Sequence, residues 1–290
     1  MLRIGIIGTE NSHATAFAKA FNLPDEKGNY PYGEVRVTVV MGEDAAANNA
    51  VAQAAGVEVI AESLEEFCAH ADAAMITCRK GSLHARYALP IIEKGMPLFI
   101  DKPLASSVEE AEKIVAAAKE KNVPLCGGSA CVYSRDVLAL AEEAQKMRAA
   151  GTLVSAGMNF AADIHSEYDG FYFYAPHLTE MALTVFGGMP RALTARENKG
   201  SVTAVLDYGD YSAALHYTKG TKDSAGTLYG TQGIYQRNIS LDGIFLEEAS
   251  RYVQMLRTGE MHTSYEQLVL PIKLMDAILR AVETGQEIVL

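Results

Sequence analysis

Short apolar runs alternate with amphipathic stretches through the first half of the chain. Residues 2–7 form an isoleucine-rich run of strand length, and residues 35–40 a second, β-branched one. Between them, residues 13–21 set Ala14, Phe17, Ala18 and Phe21 on one face at helical spacing. The alanine-rich segment 44–55 predicts a helix closed by Gly56, because glycine tolerates the left-handed backbone that ends helices. A brief strand is expected at 57–60. Ser63 with Glu66, and Ser107 with Glu110, have the Ser-x-x-Glu spacing that caps a helix start. The second of these opens a helix reaching about Lys121. Residues 73–77, 97–100 and 123–126 read as further strands, and a helix from about Ser82 to Gly95 carries Pro90 as a bend.

The second half has a different pattern. A helix over 134–149, ended by Gly151, precedes strand-like runs at 153–160, 191–196, 202–208, 211–217 and 227–239. Asp207-Tyr208-Gly209-Asp210 reads as a hairpin turn. Helical segments at 245–258 and 265–283 close the chain. Strand–helix alternation in the first half implies a doubly wound, Rossmann-like parallel sheet. Strands that follow strands in the second half imply an α/β domain with a large, mostly antiparallel sheet. The expected division is a dinucleotide-binding domain at 1–126 and a substrate and oligomerisation domain at 127–290, with the boundary near Gly127-Gly128. One face of the second sheet lacks helices to cover it, so a homo-oligomer is expected.

Composition narrows the classes of function. Hydrophobic residues make up 49% and charged residues 21%, which excludes disorder as the main state. The formal net charge is -11, from 25 basic and 36 acidic residues with no basic run, so nucleic acid and anionic membranes are poor partners. No apolar run approaches a membrane span, and the N-terminal one is too short for a signal peptide. Cys68, Cys78, Cys126 and Cys131 form no C-x-x-C and lack zinc-type histidine spacing. They read as free thiols in a reducing compartment, so a cytoplasmic protein with no assigned metal is expected.

Candidate chemistry lies beyond the carboxyl ends of the parallel strands, where such sheets bind ligands. The loop Gly8-Thr9-Glu10-Asn11-Ser12-His13 stands where a dinucleotide fingerprint belongs, but only Gly8 fits G-x-G-x-x-G. A Glu10 carboxylate about 4 Å from a phosphate would cost roughly 4 kcal/mol at an effective dielectric of 20. On that ground Glu10→Gly should tighten dinucleotide binding. The alternative reading is an ordinary turn with Ser12 as helix cap. Gly42 occupies the place of the ribose-binding acid, with Glu43 and Asp44 just beyond, and Asp44 suits a cap of the next helix. Asp101-Lys102-Pro103 puts a lysine at the carboxyl end of a central strand, where a buried lysine can serve in proton transfer. The alternative there is a surface lysine paired with Asp101. Along 163–174, carboxylates interleave with aromatic rings, which suits sugar hydroxyls and C–H faces. Asp163, His165, Tyr168 and Tyr174 are the substrate candidates. Asp163, His165 and Glu167 also alternate, so a metal site and a solvated loop are the other readings of this segment.

Residues 4–8, the stretch from Thr77 to His84, and Lys94-Gly95 through Asp101-Lys102-Pro103-Leu104-Ala105 resemble the glucose–fructose oxidoreductase and inositol dehydrogenase family (Gfo/Idh/MocA). Asp101 stands for the glutamate of that family's E-K-P. The closing stretch 245–289, with Leu256-Arg257-Thr258-Gly259 and Thr284-Gly285, is similar to its C-terminal helices. The resemblance implies hydride transfer between NAD or NADP and a sugar, polyol or related hydroxy compound. It implies a cofactor held by the Gly8 to His13 loop with Thr77, His84, Asp101 and Lys102. Lys102 would contact the reacting oxygen and the nicotinamide ribose. The family's D-x-G-x-H-x-x-D reads Phe173 to Glu180 here. His177 matches as catalytic base and Glu180 as a substrate acid, while Phe173 and Ala175 replace the aspartate and glycine. His84 matches, and Cys78 replaces the proline after Thr77. A non-catalytic binding homologue, and a lyase or hydrolase using the cofactor transiently, are the alternatives.

Overall fold

A computed structural model describes residues 1–290. The chain begins with β1 (Leu2–Ile7), α1 (Ser12–Asn22), β2 (Val35–Met41), α2 (Ala45–Ala55), β3 (Val59–Ile60), α3 (Leu64–Ala69), β4 (Ala73–Ile76), α4 (His84–Glu93), β5 (Leu98–Asp101), α5 (Val108–Lys121) and β6 (Leu125–Gly128). The six strands form one parallel sheet in the order β3-β2-β1-β4-β5-β6. This is the doubly wound order, and it reverses direction at β1 and β4. Continuous apolar strands need cover on both faces, and β4 and β5 are buried at every position. The expected face of α1 packs inward, with Ala14, Phe17, Ala18 and Phe21 buried. Full burial of each phenylalanine contributes about 1.5–3 kcal/mol. Its cap is Asn11, whose side chain accepts from the His13 amide, and not Ser12, which opens the helix itself. Ser63 and Ser107 cap their helices on the amides of Glu66 and Glu110, as their spacing predicts.

The rest of the chain holds α6 (Arg135–Ala149), β7 (Leu153–Ala161), α7 (Ala175–Phe186), β8 (Ala192–Asn198), β9 (Ser201–Asp207), β10 (Ser212–Thr218), β11 (Ala225–Gly230), β12 (Gly233–Asn238), α8 (Ile244–Thr258), α9 (Tyr265–Thr284) and β13 (Ile288–Val289). The seven strands order as β12-β11-β7-β10-β9-β8-β13, antiparallel except for the β7–β10 pair. Along β9 the side chains alternate, with Val202, Ala204 and Leu206 buried and Thr203, Val205 and Asp207 exposed. Helices α6 and α7 cover the buried side of this sheet. The run expected as one strand at 227–239 is a hairpin. Gly230 and Gly233 pair across a turn at Thr231-Gln232, and that two-residue turn folds β12 back on β11.

The chain divides into two compact units, one of residues 1–128 with 245–269 and one of residues 129–244 with 270–290. The expected division at 126/127 differs because most of α8 joins the first unit. Tyr252 is fully buried there and donates to the Ala74 carbonyl at 2.9 Å, and its ring meets Phe99 at 5.6 Å. Ala249, Val253 and Met255 complete this part of the core. No helix is long and apolar enough to cross a membrane.

Candidate active site

In the first unit the loops after β1, β2, β4 and β5 bond tightly to one another. Gly8 follows β1 at φ +92, and a Cβ there would lie 2.3 Å from the Cys78 backbone nitrogen. Only glycine lets the first loop pass so close to the loop after β4. Thr77 fastens the same contact, its hydroxyl donating to the Gly8 carbonyl at 2.8 Å. Thr9 donates to Asn48 Oδ1 at 2.6 Å, and Asn48 donates to the Gly42 carbonyl at 2.9 Å. A side chain at position 42 would meet Asn48 Oδ1 at 2.7 Å and Thr9 Oγ1 at 2.8 Å. The place of the ribose acid therefore has room only for glycine. The nearest carboxylate, Glu43, instead accepts from Arg86 Nη1 at 2.7 Å. Asp44 caps α2, accepting from the amides of Ala46 and Ala47.

Asp101 is the electrostatic centre of this unit. It is 1% exposed, and its Oδ2 lies 2.6 Å from His13 Nδ1 and accepts from Asn11 Nδ2 at 3.2 Å. Its Oδ1 accepts from the Lys102 amide at 2.9 Å. Burial pushes this carboxyl up, but the His13 charge and hydrogen bond, with help from Lys102, hold it below the usual carboxylate range. Lys102 is only 3% exposed, so the surface-lysine reading fails, and the partner of Asp101 is His13. The Lys102–Pro103 peptide is cis. His84 is fully buried beneath this turn, with Nδ1 2.7 Å from the Pro103 carbonyl oxygen and Nε2 2.9 Å from that of Cys78. Burial lowers the pKa of this imidazole.

Glu10 departs from its expected role. Its Oε1 accepts from the Arg79 amide at 2.9 Å, and the Arg79 guanidinium donates to the Glu10 carbonyl. The carboxylate is therefore already engaged beside a cation, and the repulsion expected of an unpaired Glu10 does not apply. Thr77 and His84 likewise direct their polar atoms at the protein's own carbonyls. A cavity of about 700 Å³ opens at the ends of β2 and β3, lined by Gly42, Glu43, Asn48, Ser63, Arg86 and Tyr87 among others.

In the second unit His177 lies in the first turn of α7 and is 7% exposed. Its Nδ1 is 2.7 Å from the hydroxyl of Ser129 and 3.4 Å from Cys131 Sγ. The rings of Phe160 and Tyr174 pack on the imidazole at 5.2 and 5.3 Å. Glu180, one turn further on, accepts from the Ser129 amide at 2.7 Å. Ser129 thus links the histidine and the acid of the motif, and no sequence pattern marks it. The segment 163–174 does not converge as one cluster. Asp163 pairs with Lys219 at 2.7 Å, and exposed His165 lies 3.9 Å from Glu197. The Tyr168 ring packs at a tilt against Phe173, their centres 4.9 Å apart. Tyr174 lines a cavity of about 570 Å³ with Phe160, Lys222, Asp223, Ser224 and Asn238 among others.

Residues 2–128 match the family described as the oxidoreductase family with an NAD-binding Rossmann fold. The scyllo-inositol 2-dehydrogenase (NADP(+)) IolW of Bacillus subtilis (strain 168) is 26% identical over 192 residues, 55% of this chain and 52% of that protein. The inositol 2-dehydrogenase of Cereibacter sphaeroides is 34% identical over 116 residues, 40% of this chain and 32% of that protein. The chain thus spans about half or less of the length of these curated relatives. Among solved structures, GenD2 from gentamicin A biosynthesis in complex with NAD superposes with a TM-score of 0.82 at 17% identity, covering 100% of this chain and 96% of that one. A myo-inositol dehydrogenase from Corynebacterium glutamicum gives 0.81 at 17% identity, covering 100% and 99%. The sequence match to the NAD-binding oxidoreductase family covers the parallel-sheet unit, residues 2–128, and the likeness in fold extends over the whole chain.

Proposed function

We propose that this chain is an NAD(P)-dependent oxidoreductase that moves hydride to or from a carbon of a sugar, a polyol or a related small hydroxy compound. The observation that carries the reading is Lys102, buried at the carboxyl end of β5 with its backbone fixed on Asp101. The residues at the ends of β2 and β3 fit a nicotinamide dinucleotide. The cavity there has the volume for an adenosine, and Gly42, Glu43 and Arg86 line it. Glu43 and Arg86 would address the ribose, and the amides at the start of α1 the pyrophosphate. When bound, that group supplies or takes up the hydride.

The chain's own groups do the rest. The Lys102 ammonium stabilises negative charge on the substrate oxygen and exchanges a proton with it. In the second unit the imidazole of His177 is a further group able to exchange a proton. The cavity beside Tyr174 sets rings against amide, ammonium and carboxylate groups, which suits a polyol's mixture of C–H and O–H surfaces. The exposed face of the second sheet carries Val154, Val205 and Tyr229, and burial against a second copy would cover it.

Calorimetric titration with NAD(H) and NADP(H), then steady-state kinetics on inositols and sugars, tests the reading. Lys102→Ala should lower kcat about 100- to 1,000-fold and raise KM much less, because the lost charge acts mainly in the transition state. A folded Lys102→Ala enzyme with near-native kcat would refute it. One observation favours a non-catalytic binding homologue. Phe173, in place of the family's aspartate, belongs to an aromatic cluster with Tyr168 and Tyr174. Dinucleotide binding without any turnover would establish that second reading.

A further inference from the structure

The cavity at the ends of β2 and β3 carries an uneven charge. Its lining includes two carboxylates, Glu43 and Glu62, and one cation, Arg86. That cation is already engaged, because its Nη1 donates to Glu43 Oε1 at 2.7 Å. Its guanidinium also lies 5.3 Å from the centre of the Tyr87 ring, a cation–π distance. The Tyr87 hydroxyl donates weakly to the same Glu43 Oε1 at 3.4 Å. Both bonds fall on one oxygen, so Oε2 keeps its lone pairs for a donor from outside the chain. The side chains of Arg86 and Glu43 are 64% and 63% exposed, so a ligand in the cavity can reach them. Position 42 cannot supply an acceptor of its own. A side chain there would meet Asn48 Oδ1 at 2.7 Å and Thr9 Oγ1 at 2.8 Å. The carboxylate nearest the end of β2 is therefore that of Glu43.

We propose that Glu43, with Arg86 held on it, selects NAD(H) over NADP(H). The proposal rests on the reading above that this cavity takes the adenosine end of the dinucleotide. A ribose 2′-hydroxyl is a donor, and the Glu43 carboxylate is an acceptor for it. A 2′-phosphate has acceptor oxygens and a charge of about −2 near neutral pH. Two arrangements are open to that phosphate. If the Arg86–Glu43 pair is kept, the phosphate stands among two carboxylates that one guanidinium does not balance. If Arg86 turns to the phosphate, Glu43 is left as a bare anion beside a dianion. Breaking the pair is not the obstacle, since exposed ion pairs contribute little. The repulsion that remains afterwards is. At a separation of about 5 Å in bulk water, one carboxylate weakens binding of a dianion about fifteenfold without salt, and about fivefold with physiological salt. The 2′-hydroxyl meets no such repulsion and gains a charge-assisted bond.

The test is calorimetric titration of the full chain with NADH and with NADPH, so that affinity is read without turnover. The wild type should bind NADH at least about fivefold more tightly, and about 0.5 M NaCl should narrow the gap, because the charges are exposed to screening. Glu43→Gln keeps the shape and an acceptor oxygen, removes the charge and releases Arg86. It should tighten NADPH about tenfold and weaken NADH about threefold. Adding Arg86→Gln to that variant should abolish most of the NADPH gain. Arg86→Gln alone, which leaves Glu43 without its cation, should weaken NADPH further. Circular dichroism serves as the folding control for these exposed positions. NADPH bound as tightly as NADH by the wild type, or a ratio of the two affinities unchanged in folded Glu43→Gln, would overturn the selectivity and leave the dinucleotide reading standing. Binding of neither dinucleotide would overturn the reading of the cavity and the selectivity with it.

Discussion

Replacing Asp101 with asparagine tests the electrostatic frame beneath Lys102. The substitution keeps the shape and removes the charge. The native carboxylate takes three donors: His13 Nδ1 and Asn11 Nδ2 on Oδ2, and the Lys102 amide on Oδ1. An amide offers one oxygen and one NH2. With its oxygen in the Oδ2 place, its NH2 faces the Lys102 N–H. Turned over, the NH2 faces the Asn11 amide group. Either way one buried donor meets another, at about 1–3 kcal/mol. The surviving bonds also lose their charge-assisted strength. The total for Asp101→Asn is about 2–4 kcal/mol, short of the 3–5 kcal/mol typical of stranding one member of a buried ion pair. The pH dependence identifies the cause. Although burial pushes the Asp101 carboxyl up, His13 and Lys102 hold it below its ordinary value of about 3.9. Its contribution is therefore complete above about pH 4 and is lost as pH falls through the depressed value. Urea unfolding followed by circular dichroism should show the full gap between wild type and variant at pH 7 and 5. At pH 4 and 3 the gap should narrow. A gap below about 0.5 kcal/mol at pH 7, or one that persists unchanged at pH 3, would refute the reasoning.

Gly8→Ala should destabilise the protein by at least about 3 kcal/mol, because a left-handed backbone costs of order 1–3 kcal/mol and the new Cβ adds a collision with backbone. Gly28 serves as the control, since it also has positive φ (+80) but nothing within 4 Å. Thermal melts in which Gly28→Ala fell as far as Gly8→Ala would refute the close-approach reading. Sedimentation velocity should show a species larger than the monomer at micromolar concentration, and Val205→Glu, which puts a charge on the exposed face of β9, should dissociate it. A wild type that is monomeric throughout that range would refute burial of the sheet face.

Local signals in the sequence carried the first sheet, and the long-range contacts explain what they could not carry. The face of α1 and the Ser63 and Ser107 caps depend on residues three or four positions apart, so periodicity reveals them. The packing of α8 on the parallel sheet depends on Tyr252 reaching Ala74 across 178 positions. No pattern in 245–258 distinguishes that destination from the second sheet. The hairpin of β11 and β12 was hidden because Gly230-Thr231-Gln232-Gly233 lacks the Asn-Gly or Asp-Gly signature. At the candidate site Lys102 and His177 were legible because a motif surrounds each. Ser129 was not, since it meets His177 over 48 positions and stands in an unremarkable Gly-Gly-Ser run.

Glu10 shows why a departure from a motif has to be read together with its neighbours in space. A carboxylate replaces the glycine that would let backbone approach a pyrophosphate, and Coulomb's law gives roughly 4 kcal/mol of repulsion when that charge stands alone. The charge does not stand alone. The loop after β4 supplies Arg79, whose amide binds the carboxylate and whose guanidinium binds the carbonyl of the same residue, 69 positions away. A negative group entering this loop would therefore meet a cation and an anion together, and their fields largely cancel beyond a few ångströms. Glu10 and Arg79 form one unit. Glu10 taken alone argues against an anionic ligand, and its pairing with Arg79 removes that objection. The same holds at Gly42, where the missing acid looks like a loss of ribose recognition until Thr9 and Asn48 are seen to fill the space and Glu43 to stand beside it with Arg86. The loop's polar groups are engaged by the chain's own side chains, and the Glu43–Arg86 pair stands beside Gly42.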